Sequence, residues 1–467
     1  MDRPEHHCGV VGMALSCNVA NSMKKALRVI QHRGQESTGI ALFDDRIRSL
    51  RGMGLVHEVL SGREFESICG NSGIGHVRYS TTGSSSAENV QPIVVSTSAG
   101  ELALGHNGDI VNSDKIRNKL QSEGWAFLTT TDSEIIVRLL ANELTQTTDA
   151  VRAIKNTMRI LEGAYSLTLM IGGRVFGVRD PMGFRPLCIG KVPNGYAIAS
   201  ESAVFDIMRG EFIRDVAPGE IVEVTQTGFT ASKVPCPIHS AHCMFEWVYF
   251  ARPDSIVDGK EVYRLRKNIG QKLAEEQPVS ADVVVAVPDS GRAHALGFAE
   301  ASGIKYEEGF MKNRYVERTF IMPEQNKRDE GVLLKLNPIR STVTGRRVVI
   351  VDDSIVRGTT MKKIVEMMRR AGAKEVHVRI GCPPVRAPCY YGIDMKTRDQ
   401  FAATNRTVED IAKMITADSL GYTSVKGLVD ALEIPESDLC LACLTGLYPS
   451  SIPGEKLRFQ QTLEVHE

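Results

Sequence analysis

The segment Val348-Val-Ile-Val-Asp-Asp-Ser-Ile-Val-Arg-Gly-Thr-Thr360 limits the fold of this chain more than any other. Its apolar start, within Arg347 to Val351, reads as a strand buried on both faces, because no polar residue alternates with the aliphatic ones. Two carboxylates end the strand and a turn of hydroxyl and glycine residues follows. Thr359 to Arg370 then sets Met361, Ile364, Val365 and Met368 on one helical face, with Gly372 as its stop. The same alternation runs to either side. Val262 to Glu276 and Arg292 to Ser302 read as helices, Ala281 to Val287 as a buried strand, and Val376, Val378 and Ile380 alternate as another. Strands and helices taking turns predict an α/β parallel sheet with helices on both faces. Residues 312–336 are polar, lack periodicity and are too long for an idle connector, so they read as a mobile lid.

The first half has a different character. Short β-type runs at Gly73 to Tyr79, Pro92 to Val95, Ala164 to Met170, Arg174 to Val178 and Tyr196 to Ala199 lie between turn signals and predict a sheet-rich domain. Helical spacing interrupts it at Asn21 to Ile30 and Ser133 to Leu144. Lys233 to His242, with two prolines and no periodicity, marks a joint near residues 235–257. The domains expected are therefore 8–235 and 258–467, which suits a chain of 467 residues.

Charge and cysteine content narrow the chemistry. Lys plus Arg balance Asp plus Glu at 56 each, so no overall basic field favours nucleic acid or an anionic membrane. No apolar run approaches the roughly 18 residues of a membrane span, and the first residues lack a secretory signal, so a cytoplasmic protein is expected. Ten cysteines in a large cytoplasmic chain then call for an explanation other than disulfides. Cys440-Leu-Ala-Cys443 is a C-x-x-C, and Cys243 and Cys389 lie far from it in sequence. Thiolate ligation suits zinc or an iron–sulfur cluster, and spacing does not decide between them.

The turn after Val351 suits a phosphate. Free N–H groups and the positive end of the helix dipole favour an anion there, and Ser354, Gly358, Thr359 and Thr360 let the backbone approach and add donors. Asp352 and Asp353 would hold ribose hydroxyls or a magnesium water shell. The Walker spacing does not occur. The segment resembles the type I phosphoribosyltransferases, in which the acids contact the ribose of phosphoribosyl pyrophosphate (PRPP) and the turn, here including Arg357, binds its 5-phosphate. Val285-Ala-Val-Pro-Asp-Ser-Gly-Arg292 looks like the loop facing the pyrophosphate, with Ser290 beside magnesium and Arg292 on the pyrophosphate.

Cys8-Gly-Val-Val-Gly12 begins a strand-like run after seven polar residues. Without those seven, Cys8 would carry an α-amine, of pKa about 7.7 to 8.0, able to act as base for its own thiol. Gln31-His-Arg-Gly-Gln-Glu-Ser37, Gly75-His-Val-Arg-Tyr-Ser80, Gly105-His-Asn-Gly-Asp109 and Thr131-Asp-Ser-Glu134 follow. With Cys8 they resemble the N-terminal-nucleophile (Ntn) glutamine amidotransferases, whose fold is an αββα sandwich. That resemblance makes residues 1–7 a propeptide and Cys8 the nucleophile. It makes Asn107 and Gly108 the oxyanion hole, Arg78 the partner of the glutamine carboxylate and Asp132 the reader of its ammonium. His32, His76 and His106 are left packing or loop-ordering roles.

Both halves together resemble the glutamine phosphoribosylpyrophosphate amidotransferase family, in its iron–sulfur, propeptide-containing branch. The matches are His242-Cys-Met-Phe-Glu-Trp-Val-Tyr-Phe-Ala-Arg-Pro-Asp254, Ala387-Pro-Cys-Tyr-Tyr-Gly-Ile-Asp394 and Cys440-Leu-Ala-Cys-Leu-Thr-Gly446. The resemblance implies one [4Fe-4S] cluster on Cys243, Cys389, Cys440 and Cys443, and one Mg2+ held at Ser290, Asp352 and Asp353. It implies a pentosyltransferase opening purine (IMP) synthesis, in which ammonia from glutamine is channelled to PRPP. Arg314-Tyr-Val-Glu-Arg-Thr-Phe320 resembles the flexible loop of the second site, and Tyr263 and Arg264 stand where the family couples its sites. A homotetramer and feedback inhibition by purine nucleotides are implied as well. Cys17, Cys69, Cys188, Cys236 and Cys382 are expected to pack as small hydrophobes. A salvage phosphoribosyltransferase would not need Cys8, and an inert PRPP-binding regulator would have lost it.

Overall fold

The computed structural model describes residues 8–79, 86–97, 100–313, 336–395, 397–452 and 455–457. The expected propeptide 1–7 lies outside them, as do residues 314–335 of the expected lid, Arg314 to Phe320 included.

In the first half the strands are β1 (Gly9–Leu15), β2 (Ser37–Phe43), β3 (Ile47–Met53), β4 (Ser72–Arg78), β5 (Ile93–Thr97), β6 (Gly100–Ile110), β7 (Gly163–Ile171), β8 (Arg174–Arg179), β9 (Cys188–Val192), β10 (Gly195–Ala199), β11 (Glu211–Asp215), β12 (Glu220–Val224) and β13 (Phe229–Lys233). They form two sheets, ordered β11-β9-β10-β1-β4-β2-β3 and β13-β12-β8-β7-β6-β5. Strand parity builds the layers, because successive side chains point to opposite faces. Along β1, Val10 and Ala14 enter the core between the sheets, while Val11, Met13 and Leu15 pack under the helix Ala20–Val29. On the second sheet Ala103 faces inward and Leu102 and Leu104 meet the helices Ser113–Ser122, Asp132–Gln146 and Ala150–Ile160. The result is an αββα sandwich. It holds more helix than the two stretches expected; Ala150, Ala153, Ile154 and Met158 carry helical spacing and are all buried.

In the second half four parallel strands, Val283–Ala286, Arg347–Asp352, Glu375–Ile380 and Ser419–Tyr422, lie side by side in that order. The sequence reading had no counterpart for the last of them, a strand of four residues. Both faces of the sheet are covered, as its unbroken aliphatic runs require. Val283 and Val285 pack toward the helix Thr359–Arg370, and Val284 and Ala286 toward the helix Gly291–Ser302. The helices Val262–Glu276 and Thr359–Arg370 have the bounds expected from periodicity. Between the halves, residues 234–241 form no regular element, and Glu246–Phe250 makes one π-helical turn.

Helices Val262–Glu276 and Gly291–Ser302 touch backbone to backbone. A methyl group at Gly270 would overlap the His294 carbonyl oxygen, and one at Gly297 that of Lys267. Overpacking of this kind costs about 1–3 kcal/mol. Gly270→Ala is therefore expected to lower the urea midpoint of the folded protein, whereas Gly228→Ala, with nothing within 4 Å, should leave it in place. Equal midpoints for the two variants would contradict the close approach.

Candidate functional site

The inner faces of the sandwich gather the amidotransferase residues at one end. β1 pairs antiparallel with β4, Gly9 opposite Val77 and Val10 opposite His76, so Cys8 continues the register toward Arg78. Cys8, Val10 and Ala14 share one parity, as do Ile74, His76 and Arg78. Across the core Gly105 and Asn107 share the parity of Ala103. A Cβ at Gly105 would lie 3.6 Å from both His76 and Val10. Asn107 is fully buried, and among the described residues neither its amide nitrogen nor its oxygen has a hydrogen-bond partner. An unsatisfied buried amide costs about 1–3 kcal/mol, so a group of this kind calls for a partner.

Cys8 is buried, and its thiol donates to the Tyr79 carbonyl at 3.5 Å. Burial pushes that thiol up to about 11, with Arg78 drawing it down less strongly and Glu36 and Asp132 adding to the rise. At neutral pH it is protonated, so it needs a base beside it before it can attack. Arg78 is buried at the end of β4 and donates to Glu36 at 2.8 Å. Asp132 opens the helix Asp132–Gln146, and its Oδ2 accepts the Ile110 amide at 3.0 Å. Burial opposes its charge, but His106, 3.6 Å away, outweighs burial and holds the carboxyl low. His76 donates to the His106 carbonyl at 2.9 Å, and burial takes its imidazole down to about 3, so it stays neutral and braces the inner face. His32 meets Glu201 at 2.7 Å. Gly108 has φ 152°, and a side chain there would run into the Ala164 carbonyl, which only glycine avoids.

The Asp352–Thr360 turn sits at the carboxyl end of a parallel strand beside its neighbour Val283–Ala286, where open α/β sheets bind ligands. Asp352, Asp353 and Ser354 are buried. The Asp353 amide donates to Asp352 at 3.0 Å, and the Ser354 hydroxyl to Asp353 at 2.6 Å. Gly358, at φ 88°, turns the chain into the helix of Thr359 and Thr360. Arg357 is exposed and reaches Gln400 at 2.6 Å. The second loop adjoins the first, since a Cβ at Gly291 would lie 2.7 Å from the Val351 carbonyl and 3.4 Å from the Asp352 carboxylate. Ser290 stands at the start of the helix Gly291–Ser302, while Arg292 is half-buried, 3.5 Å from Glu308 and 4.0 Å from Asp289.

Four cysteines from three distant segments also come together. Cys243 is directly paired with Cys440 in a two-residue parallel bridge. The Cys443 carbonyl accepts the amides of Arg386 (2.9 Å) and Ala387 (3.0 Å), which brings in Cys389. All four thiols are buried and free of disulfides. Burial and one another's charge raise them, Cys243 to about 11. Among the described residues no three His, Cys, Asp or Glu side chains are placed to hold a single metal ion. Of the other cysteines, Cys188 and Cys382 are buried, but Cys17 is exposed and Cys69 and Cys236 are half-buried, so packing in a core does not describe those three.

Sequence reasoning missed Glu36 as the partner of Arg78 and Arg185 as the buried cation of the cysteine cluster. The Arg185 guanidinium lies beside Cys243, Cys389 and Cys440, and burial's penalty on it is outweighed by these and by Glu246. A lone Arg after Gly183-Phe184 carries no sequence signal for such a place, because exposed arginines are far more common.

Comparison with known proteins identifies both halves of the chain. Residues 76–206 match the model of the glutamine amidotransferase domain, and residues 254–383 that of the phosphoribosyl transferase domain. The amidophosphoribosyltransferase of Methanocaldococcus jannaschii is 50% identical over 96% of this chain and 99% of its own. That of Bacillus subtilis is 43% identical over 98% of this chain and 96% of its own. The solved structure of the Bacillus subtilis glutamine PRPP amidotransferase, complexed with ADP and GMP, superposes with a TM-score of 0.89 at 41% identity, over 96% of this chain and 99% of that one. With this likeness running through both halves, the chain belongs to the amidophosphoribosyltransferase family.

Proposed function

We propose that this chain converts glutamine, PRPP and water into 5-phosphoribosylamine, glutamate and pyrophosphate, the first committed step of purine synthesis leading to IMP. One observation carries the reading: a single chain holds a buried cysteine beside Arg78 and Asp132, and a carboxylate–hydroxyl loop at the end of a parallel sheet. Neither site alone requires the other, whereas this reaction requires both. In residues 8–235, once the propeptide 1–7 is removed, the α-amine of Cys8 takes the thiol proton. The sulfur then attacks the glutamine amide and forms a glutamyl thioester. The Asn107 amide and the Gly108 N–H meet the developing oxyanion, and the burial of the Asn107 amide with no partner among the described residues supports that role. Arg78, braced by Glu36, pairs with the substrate carboxylate, and Asp132 with its ammonium.

Ammonia is mostly protonated near neutral pH, so its passage to the second site within residues 258–467 is enclosed. There it displaces pyrophosphate at ribose C1 with inversion. Asp352 and Asp353 hold the ribose hydroxyls, the 354 and 357–360 positions cradle the 5-phosphate, and Arg292 meets the pyrophosphate. One Mg2+ per subunit, held by Ser290 and the two carboxylates, would neutralise the leaving group. The acids therefore need not act as general bases.

The chain is also assigned to the iron–sulfur, propeptide-containing branch, with one [4Fe-4S] cluster per subunit on Cys243, Cys389, Cys440 and Cys443. The donor set fits. Four buried cysteines from three segments are a donor set of the kind that holds such a cluster, and Arg185 would supply counter-charge to their thiolates. The cluster would brace the C-terminal segment. The chain would act as a cytoplasmic homotetramer inhibited by purine nucleotides, and the ADP and GMP of the Bacillus subtilis structure support nucleotide binding. Among the described residues no helix is long and apolar enough to cross a membrane.

Three outcomes are expected. Cys8→Ala should abolish turnover with glutamine yet keep turnover with added ammonia; loss of both would contradict two separable sites. Intact-mass analysis of active enzyme should show a chain starting at Cys8, and an active chain retaining residues 1–7 would rule out the self-base. Anaerobically purified protein should contain iron and inorganic sulfide, whereas zinc alone would refute the cluster.

A further inference from the structure

The segment carrying Cys389 does more than present a thiol, because it lies directly on the strand that carries Asn107 and Gly108. At Gly392, φ 98°, a Cβ would stand 2.9 Å from the carbonyl carbon of Gly108 and 3.1 Å from its Cα and oxygen. The contact crosses from the phosphoribosyltransferase half to the amidotransferase half.

The neighbours of Gly392 hold it in place. The Tyr391 ring stacks on Phe184 with centroids 4.2 Å apart and planes 18° from parallel. The Tyr391 carbonyl accepts Nε of the buried Arg185 at 3.0 Å and its Nη2 as well. Its hydroxyl bonds Ser450 at 2.8 Å, and the Cys389 amide closes the loop on the Met395 carbonyl at 2.9 Å. The other oxyanion residue feels the same structure. The Arg185 carbonyl accepts the Ser166 hydroxyl at 3.0 Å, and Ser166 stands directly opposite Asn107 in the β6–β7 ladder.

We infer that Gly392 is a positioning residue for the amide-cleaving step. Its missing side chain lets the 389–395 loop seat against the Cα and carbonyl of Gly108, which holds the backbone of that residue, and through its Cα the N–H on the preceding peptide, in one orientation. A displacement near 1 Å at such a donor is worth about a hundredfold in rate. The inference rests on the oxyanion role of Asn107 and Gly108 proposed above.

The test uses the full-length mature enzyme with Gly392→Ala and, because a side chain at φ 98° strains the loop by itself, also Tyr391→Leu, which loosens the stack without altering backbone preference. Turnover is measured with glutamine and with added ammonia, alongside the thermal midpoint. Gly392→Ala should lower kcat with glutamine about a hundredfold and leave the glutamine KM and the ammonia-dependent rate within about twofold. Tyr391→Leu should lower the glutamine-dependent kcat alone, by about tenfold. A merely structural contact would depress both activities together, and that result, or an unchanged glutamine-dependent kcat in both variants, overturns the inference. If Gly392→Ala does not fold, Tyr391→Leu decides. Asn107→Ala measured in parallel separates the two levels. Its loss of glutamine turnover with Gly392→Ala unaffected removes only the positioning role, whereas full glutamine turnover in Asn107→Ala removes the oxyanion reading itself.

Discussion

A buried ion-pair network at the joint between the halves is the interaction on which both sites depend. Arg33 lies fully buried between two carboxylates, at 2.5 Å from Glu201 and 2.6 Å from Glu246. Glu201 also accepts the Arg252 amide (2.9 Å) and the Ser255 hydroxyl (2.8 Å), so one carboxylate ties the amidotransferase half to the chain entering the second half. Charges so deeply buried are tolerable only in full company. Removing one partner of such a pair costs about 3–5 kcal/mol, because the other is left uncompensated. Sliding the halves against each other would carry that cost at several places at once, which holds their orientation.

The network reaches toward both sites. Gly34, next to Arg33, packs without a side chain on the backbone of Val77 and Arg78. On the other side Arg266 donates to the Trp247 and Ala251 carbonyls at 2.7 Å each. Burial lowers its guanidinium to about 10, and among the charges that oppose this the carboxylate of Asp353 counts most. The cysteine cluster joins the same region, since Arg185 stands 3.6 Å from Glu246. The Asp352–Thr360 turn and the four thiols thus border one network of buried charges, and Arg78 adjoins it through the backbone of Gly34, although these parts lie far apart in sequence.

Some of this was legible in the residues. The helices Val262–Glu276 and Thr359–Arg370 stand where apolar spacing puts them, because an amphipathic face is a local property that packing merely uses. The Asp352–Thr360 turn was legible for the same reason, as strand, turn and helix follow within thirteen residues. The strand Ser419–Tyr422 was not. It is too short to show a period, and only its parallel pairing with Glu375–Ile380 makes it a strand. Cys17 looks like any other cysteine in the sequence, and its exposure follows from the turn after β1. Glu36 stands in a quoted motif, yet its bond to Arg78 depends on β2 lying beside β4, with Ser37 opposite Arg78.

What the sequence by itself determined is the chemistry available: a cysteine ahead of a strand, two acids ahead of a hydroxyl turn, and cysteines that disulfides do not explain. Periodicity and turn chemistry act over a few residues, and so survive in one dimension. What only the tertiary structure decided is adjacency. That Asn107 is left without a partner among the described residues, that Arg185 stands among three thiols, and that Gly392 rests on Gly108 each depend on two sheets closing on one another and a third docking on them. Those approaches are fixed by the packing of facing surfaces and the pairing of buried charges, and no local pattern in the chain records them.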